Sequence, residues 1–153
     1  MQAAEITVEA SPALSMDEVE ELYRDVGWTT YADDVVTLEA ALAGSSRVVA
    51  ARRDGRLVGL ARVISDGATI CYLQDVLIHP GAQRAGVGRA LVLAALEPYA
   101  AVRQKVLLTD DEPGQRAFYE SLGYRETREH GAGSLRAFVR FDRVTPVTAR
   151  PGT

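Results

Sequence analysis

The stretch Gln83-Arg84-Ala85-Gly86-Val87-Gly88-Arg89-Ala90-Leu91 constrains this chain most, because it joins an apolar run ending at His79-Pro80 to a segment with strong helical patterning. Two glycines one residue apart remove Cβ atoms from the turn, so successive backbone N–H groups can converge on an anion. The turn then opens a helix, whose first amide donors lack intrahelical partners and sit at the positive end of the helix dipole. Arg84 and Arg89 flank the glycines with formal positive charge. A pyrophosphate docked there satisfies both the free donors and the dipole.

Two familiar phosphate loops are excluded by the letters. A Walker loop requires Gly-x4-Gly-Lys-Ser/Thr, and Arg89 follows Gly88; a dinucleotide fingerprint requires Gly or Ala where Leu91 stands. A plain glycine-containing strand-to-helix turn remains the alternative for Gly-x-Gly taken in isolation. Composition narrows the partners further. At 153 residues and 47% hydrophobic, the chain has the length of one domain with a full core. A net charge of -4 argues against a nucleic-acid surface and mildly suits a cationic acceptor. No run approaches the roughly 20 apolar residues of a membrane span, and Met1-Gln2-Ala3-Ala4-Glu5 lacks the basic start of a signal peptide, so a cytoplasmic protein is expected. The single Cys71 excludes an intrachain disulfide and a cysteine-built zinc site. With His79 and His130 as the only imidazoles, no metal is expected.

Along the chain, Glu5-Ile6-Thr7-Val8-Glu9 alternates as a half-buried edge strand does. Ser15-Met16-Asp17-Glu18 reads as a capping box, with Val19, Leu22, Tyr23 and Val26 on one helical face and Gly27 at the helix end. Trp28-Thr29-Thr30-Tyr31 reads as a link. Asp33 then caps a second helix, whose Val35, Leu38 and Leu42 share a face ending at Gly44, so that Trp28 and Tyr31 stand at the tip of a helical hairpin. Arg47 to Ile78 carries strand patterning, with turns at Asp54-Gly55 and Asp66-Gly67, and predicts a three-stranded antiparallel meander. After the glycine turn, Val87, Leu91 and Ala94 share a face, and Pro98 helps end the helix. Lys105 to Thr109 is a short β-rich run that the crossover rule sets parallel to the strand ending at Ile78. Pro113 opens a further helix with Phe118 and Leu122 on one face, and Gly123 ends it. Tyr124 to Arg128 and Leu135 to Phe141 read as two final strands around Gly131-Ala132-Gly133. Residues 144–153 read as a loose tail, leaving a single domain over 1–143.

Gln83-Arg84-x-x-Gly86-x-Gly88 after an apolar strand is joined by Asp75-Val76-Leu77-Ile78-His79-Pro80 and by Ala117-Phe118-Tyr119-Glu120-Ser121-Leu122-Gly123-Tyr124. In that order the three segments resemble the GNAT superfamily of acetyl-coenzyme A (acetyl-CoA) dependent N-acetyltransferases, over about Met16 to Phe141. The resemblance implies an α/β fold with a mixed, mostly antiparallel central sheet flanked by helices, in which parallel strands 4 and 5 splay apart. It implies that the pantetheine arm pairs with the backbone of Val76, Leu77 and Ile78, and that Arg84, Ala85, Gly86, Val87, Gly88 and Arg89 hold the pyrophosphate. Splaying leaves donors and acceptors for a peptide-like arm, whereas pattern alone makes the same three residues a buried central strand. Tyr119 matches the family tyrosine that protonates the departing thiolate, a task that suits a phenol with an ordinary pKa near 10. By pattern alone it is a half-buried packing residue. The chain departs from the family at Glu112, where Asn is common; the carboxylates Asp110, Asp111 and Glu112 disfavour a nearby phosphate, so Glu112 is not counted as a cofactor residue.

The reaction implied is direct attack of a primary amine on the thioester in a ternary complex. An amine must be neutral to attack, and Asp75, the ionisable residue inside the central strand, is the candidate proton acceptor, with a structural carboxylate as the alternative. Cys71 has no histidine or arginine placed in sequence to activate it, and His79 reads as a strand-end surface residue; neither is assigned a role. Trp28 and Tyr31 are candidates for a wall of the acceptor site, since aromatics hold both apolar bodies and cations, with core packing as the alternative. Val26-Gly27-Trp28, Ile64-Ser65-Asp66 and Gln74-Asp75-Val76-Leu77 look most like small stand-alone members and plant-type arylalkylamine acetyltransferases, which points to a small-molecule amine. A protein lysine or N-terminus and an aminoglycoside stay open as acceptors. A catalytically silent acyl-CoA-binding sensor of the same fold is a second class, against which Tyr119 counts, and a generic nucleotide-binding protein is a third. Many small relatives form homodimers, and the sequence leaves the oligomeric state open.

Overall fold

The computed structural model describes residues 5–133 and 135–142, and the chain divides after Leu107 into two units. In the first lie β1 (Ile6–Ala10), α1 (Met16–Asp25), α2 (Thr29–Ala32), α3 (Val35–Ala43), β2 (Arg47–Arg53), β3 (Arg56–Ser65), β4 (Ile70–Ile78), α4 (Val87–Leu96) and β5 (Gln104–Leu107). The strands form a five-stranded sheet in the order β1-β2-β3-β4-β5. Neighbours run antiparallel except for the parallel pair β4–β5, as the sequence reading expects.

Local chemistry explains most of these elements. Ser15 Oγ accepts from the Glu18 amide at 3.3 Å while Glu18 accepts from the Ser15 amide at 2.8 Å, so the capping box starts α1. Gly27, at φ 86, ends it in the left-handed region. Val19, Leu22 and Tyr23 of α1 are buried in one cluster with Leu38 of α3 and with Ala50, Leu57, Leu60 and Leu77 of the sheet. The β2–β3 hairpin turns through Asp54 and Gly55, both at positive φ (51 and 78), the geometry that matches strand twist.

Three local expectations are corrected. The link 28–31 contains a one-turn helix, α2, rather than an irregular connection. Asp34, not Asp33, caps α3 by accepting from the Thr37 amide at 3.1 Å; Asp33 instead pairs with Arg24 at 2.7 Å. On α4 the buried face is Val87, Leu91, Val92 and Ala95, with Ala94 half-buried one position round.

Burial alternates along β4, but the alternation hides a change of face. Arg62 pairs with Asp75 whereas Val63 pairs with Leu73, so Gln74 is an extra residue in β4. Such a bulge reverses which face the following residues present. Asp75 and Leu77 therefore lie with Arg62 and Leu60 on the side of α1 and α3. Leu73 lies with Val63 on the side of α4, where Arg47, opposite Val63, donates to the Ala94 carbonyl at 2.9 Å.

The second unit contains α5 (Pro113–Ser121) followed by 3₁₀ turns at Thr127–Glu129 and Gly131–Gly133. The final strands expected over 124–128 and 135–141 are absent. Arg116 of α5 instead collects Glu120, Glu126 and Glu129 at 2.6, 3.0 and 2.6 Å, which holds 126–129 as a turn. Residues 135–142 have no regular structure, and Phe138 and Phe141 are exposed. The tail over 144–153 lies outside the described residues.

Candidate active site

Between β4 and α4 the chain takes the form an anion loop requires. A 3₁₀ turn, Pro80–Ala82, is fixed through Gly81, whose amide donates to His79 Nδ1 at 2.9 Å and whose carbonyl accepts from Arg53 at 3.2 Å. Arg84 and Gly86 then adopt positive φ (64 and 77), and Gly86 caps α4, its carbonyl accepting from Ala90. Alternating left-handed residues turn successive N–H groups to one side, beside the unpartnered amides of the first helical turn. Val87 and Gly88 are buried and anchor that turn; Arg84, Ala85, Gly86 and Arg89 face solvent. Main-chain N–H groups and two exposed guanidinium groups thus stand together at this turn, an arrangement that suits an anion.

Upstream of the loop, β4 has an open edge. The β4–β5 ladder runs only from Ile70/Gln104 to Leu73/Leu107, while β4 continues to Ile78. The His79 amide donates to the Val58 carbonyl at 2.8 Å beside the facing pair Gly59 and Ile78. Antiparallel alternation then commits the main-chain groups of Leu77 to Leu60 and turns those of Val76 and Ile78 away from β3. Among the described residues no strand takes that outer edge beyond Leu73. Of the three residues singled out from the sequence, Val76 and Ile78 thus present free main-chain groups. Leu77 contributes a buried side chain, 1% exposed.

Asp75 is 4% exposed and belongs to a network that the sequence reading did not identify. Its Oδ2 accepts from Tyr23 Oη at 2.7 Å and from Arg62 Nε at 2.9 Å. Burial, and next the Asp75 charge, push the Tyr23 phenol well above its ordinary range, so it remains a donor. The signal for Arg62 was present in the sequence: it is the one charge within the apolar run Leu57 to Ile64, and a buried charge needs a partner. Tyr23 carried no such mark, since an aromatic on a core face is ordinary packing.

Trp28 is half-buried and packs edge-on against Tyr23, ring centroids 6.0 Å apart, so it stands on the same side of the sheet as Asp75. Tyr31, on α2, is 43% exposed. In the second unit Tyr119 is half-buried between Phe118 and Tyr124, at centroid distances of 4.9 and 6.0 Å. Burial pushes its phenol up to about 12. Glu112 is the N-cap residue of α5 without a side-chain capping bond. Cys71 is buried and its thiol is pushed up by that burial, away from nucleophilic use. A cavity of about 450 Å³ lined by Arg53, Asp54, Arg56, Val58, His79 and Gly81 lies at the β2–β3 turn and includes none of the predicted site residues. Among the described residues no helix is long and apolar enough to cross a membrane.

Comparison with known proteins agrees with this geometry. Residues 19–141 match the model of the acetyltransferase (GNAT) domain. An uncharacterized N-acetyltransferase of Pyropia yezoensis is 27% identical over 124 residues, covering 78% of this chain and 70% of that protein. A mycothiol acetyltransferase of Kineococcus radiotolerans is 34% identical over 106 residues, covering 67% of this chain and 35% of that protein. Among solved structures, a GNAT family acetyltransferase from Streptococcus pneumoniae superposes with a TM-score of 0.78 at 27% identity, over 91% of this chain and 99% of that one.

Proposed function

This chain belongs to the GNAT acetyltransferase family, whose members are acyltransferases using acetyl-CoA, and from that premise we propose that it acetylates the primary amine of a small molecule by direct attack in a ternary complex. The observation that carries the reading is the open edge of β4 at Val76 and Ile78, which leads straight into the left-handed turns at Arg84 and Gly86. The acyl donor supplies an activated thioester; the chain's own residues hold and polarise it. Main-chain donors and the two arginines bind the pyrophosphate, and the outer-edge groups of Val76 and Ile78 bind the amide arm and polarise the carbonyl. Holding amine and thioester at attacking distance is the largest contribution asked of the protein. Asp75 takes one proton from the ammonium form, so that the amine is neutral when it attacks. As nitrogen then bonds to carbon and the carbon–sulfur bond breaks, Tyr119 gives a proton to sulfur and nitrogen sheds its second proton to solvent, from which the phenol is reprotonated. Trp28 and Tyr31 form the acceptor wall. A mycothiol acetyltransferase among the relatives supports a small-molecule acceptor.

The test begins with thermal unfolding of wild type and Gly86→Glu in excess acetyl-CoA, CoA, ATP or NAD. A ligand confined to the folded state adds about 2.7 kcal/mol at 100 times its dissociation constant. A Cβ at Gly86 meets nothing within 4 Å, but a φ of 77 strains any side chain there, so each shift is measured against the variant's own ligand-free melt. The substitution places a carboxylate where the phosphates belong. Stabilisation by both CoA forms only, lost in the variant, followed by thiol release with small amines, is the expected result. Stabilisation by ATP or NAD alone would overturn it.

A further inference from the structure

Both donors to Asp75 reach the same atom. Tyr23 Oη and Arg62 Nε converge on Oδ2 at 2.7 and 2.9 Å. A carboxylate held only for stability commonly meets guanidinium as a two-pronged pair, one nitrogen to each oxygen. Here Arg62 turns Nη1 away, towards the Ala41 carbonyl and Ser45 Oγ, both at 3.4 Å. Asp75 Oδ1 takes no donor among the described residues. The residue is 4% exposed, so an unpartnered carboxylate oxygen stands in a nearly closed site. Asp75 stands two residues beyond Leu73, the last β4 residue paired with β5, and directly after the bulge at Gln74.

We infer that Tyr23 and Arg62 are positioning residues for acyl transfer, clamping one oxygen of Asp75 so that the other receives the proton of an amine arriving as ammonium. The inference rests on the acyltransferase reading and adds an acceptor class to it. A carboxylate oxygen beside the Tyr23–Trp28 aromatic pair, whose centroids are 6.0 Å apart, suits a protonated alkylamine with an apolar or aromatic body. Tyr23 from α1, Arg62 from β3 and Tyr72 from β4 itself are the ionisable groups that feel this carboxylate. An unclamped carboxylate would rotate, and the proton acceptor would be misplaced in the attacking complex.

Two amines of similar shape separate this role from a structural one. Phenethylamine is protonated at pH 7 and must lose a proton before attack; phenylhydrazine is neutral there. CoA thiol release is measured with each, at saturating acetyl-CoA, for wild type and Tyr23→Phe, which removes one donor and keeps the ring. The expected result is a kcat loss of about 10- to 100-fold with phenethylamine, a part of the usual general-base contribution, and under about 3-fold with phenylhydrazine. Thermal stabilisation by CoA stays at the wild-type value. Equal losses with both amines, or no loss with either, would overturn the positioning role while leaving the acyltransferase reading intact. Wild-type enzyme that releases thiol with neither amine removes the small-amine reading, and this inference with it. If Tyr23→Phe does not fold, Arg62→Lys is read in the same assay, with the same selective loss expected.

Discussion

Tyr119 and Arg62 show how far single side chains can be read. Burial raises the Tyr119 phenol to about 12, so it remains protonated through neutral pH and beyond. An acid must carry its proton to act, and a raised pKa moves its loss upward; kcat is therefore expected to hold level up to about pH 10. A descending limb centred near pH 8 would show that a different acid works. Tyr119→Phe should lower kcat by about 100-fold, the low end of general-acid effects because a thiolate leaves readily, with the CoA-induced thermal shift unchanged. Arg62 gives a stability prediction. Its side chain and that of Asp75 are 11% and 5% exposed, so Arg62→Met leaves a buried carboxylate with one donor. Urea melts are expected to show a loss of about 3–5 kcal/mol, and a loss under about 1 kcal/mol would mean that the pair is more hydrated than its burial implies.

Strands and turns carry the next level, and β4 is the informative one. Its outer-edge amides, Val76 and Ile78, are expected to exchange with deuterium faster than Leu77, whose amide is committed to β3. Excess CoA should slow Val76 and Ile78 selectively. Uniform exchange along 75–78, with or without CoA, would argue against the open edge. Much of this element was legible: Asp54-Gly55 set the hairpin, alternation set the strands, and Gly86-x-Gly88 set the turn. The bulge at Gln74 was not, because strand burial stays alternate while the face changes, and register between strands decides that. The sequence reading puts the cap of α3 at Asp33, one residue too early: Asp33 is taken by the ion pair with Arg24, and Asp34 caps the helix. The segment 135–141 has strand composition, but composition supplies no partner edge. In this structure its large apolar residues stay exposed.

At the scale of the whole molecule, acid sensitivity follows from contacts that join distant parts of the chain. Arg52 of β2 meets Glu18 of α1 at 2.6 Å, donates to the Ala13 carbonyl at 3.0 Å and lies 3.5 Å from Glu9 of β1, so one guanidinium ties the first helix to the sheet. The Arg52 hydrogen bond, ahead of the opposing effect of burial, holds the Glu18 carboxyl below the ordinary carboxylate range. A carboxyl depressed in the folded state stabilises the fold above its unfolded pKa, and that contribution disappears as pH falls through the folded value. Melting temperature is therefore expected to be insensitive to this pair from pH 7 to about 5 and to fall below that. Glu18→Gln removes the titrating group while keeping the capping geometry. At pH 7 the variant should melt about 2–4 °C below wild type, corresponding to about 1 kcal/mol in a chain of this size. The gap should close as pH is lowered towards 3, because protonated wild-type Glu18 then resembles the amide. A gap that is constant across that range would mean that Glu18 acts through shape alone, and that the tie between α1 and β2 is not electrostatic.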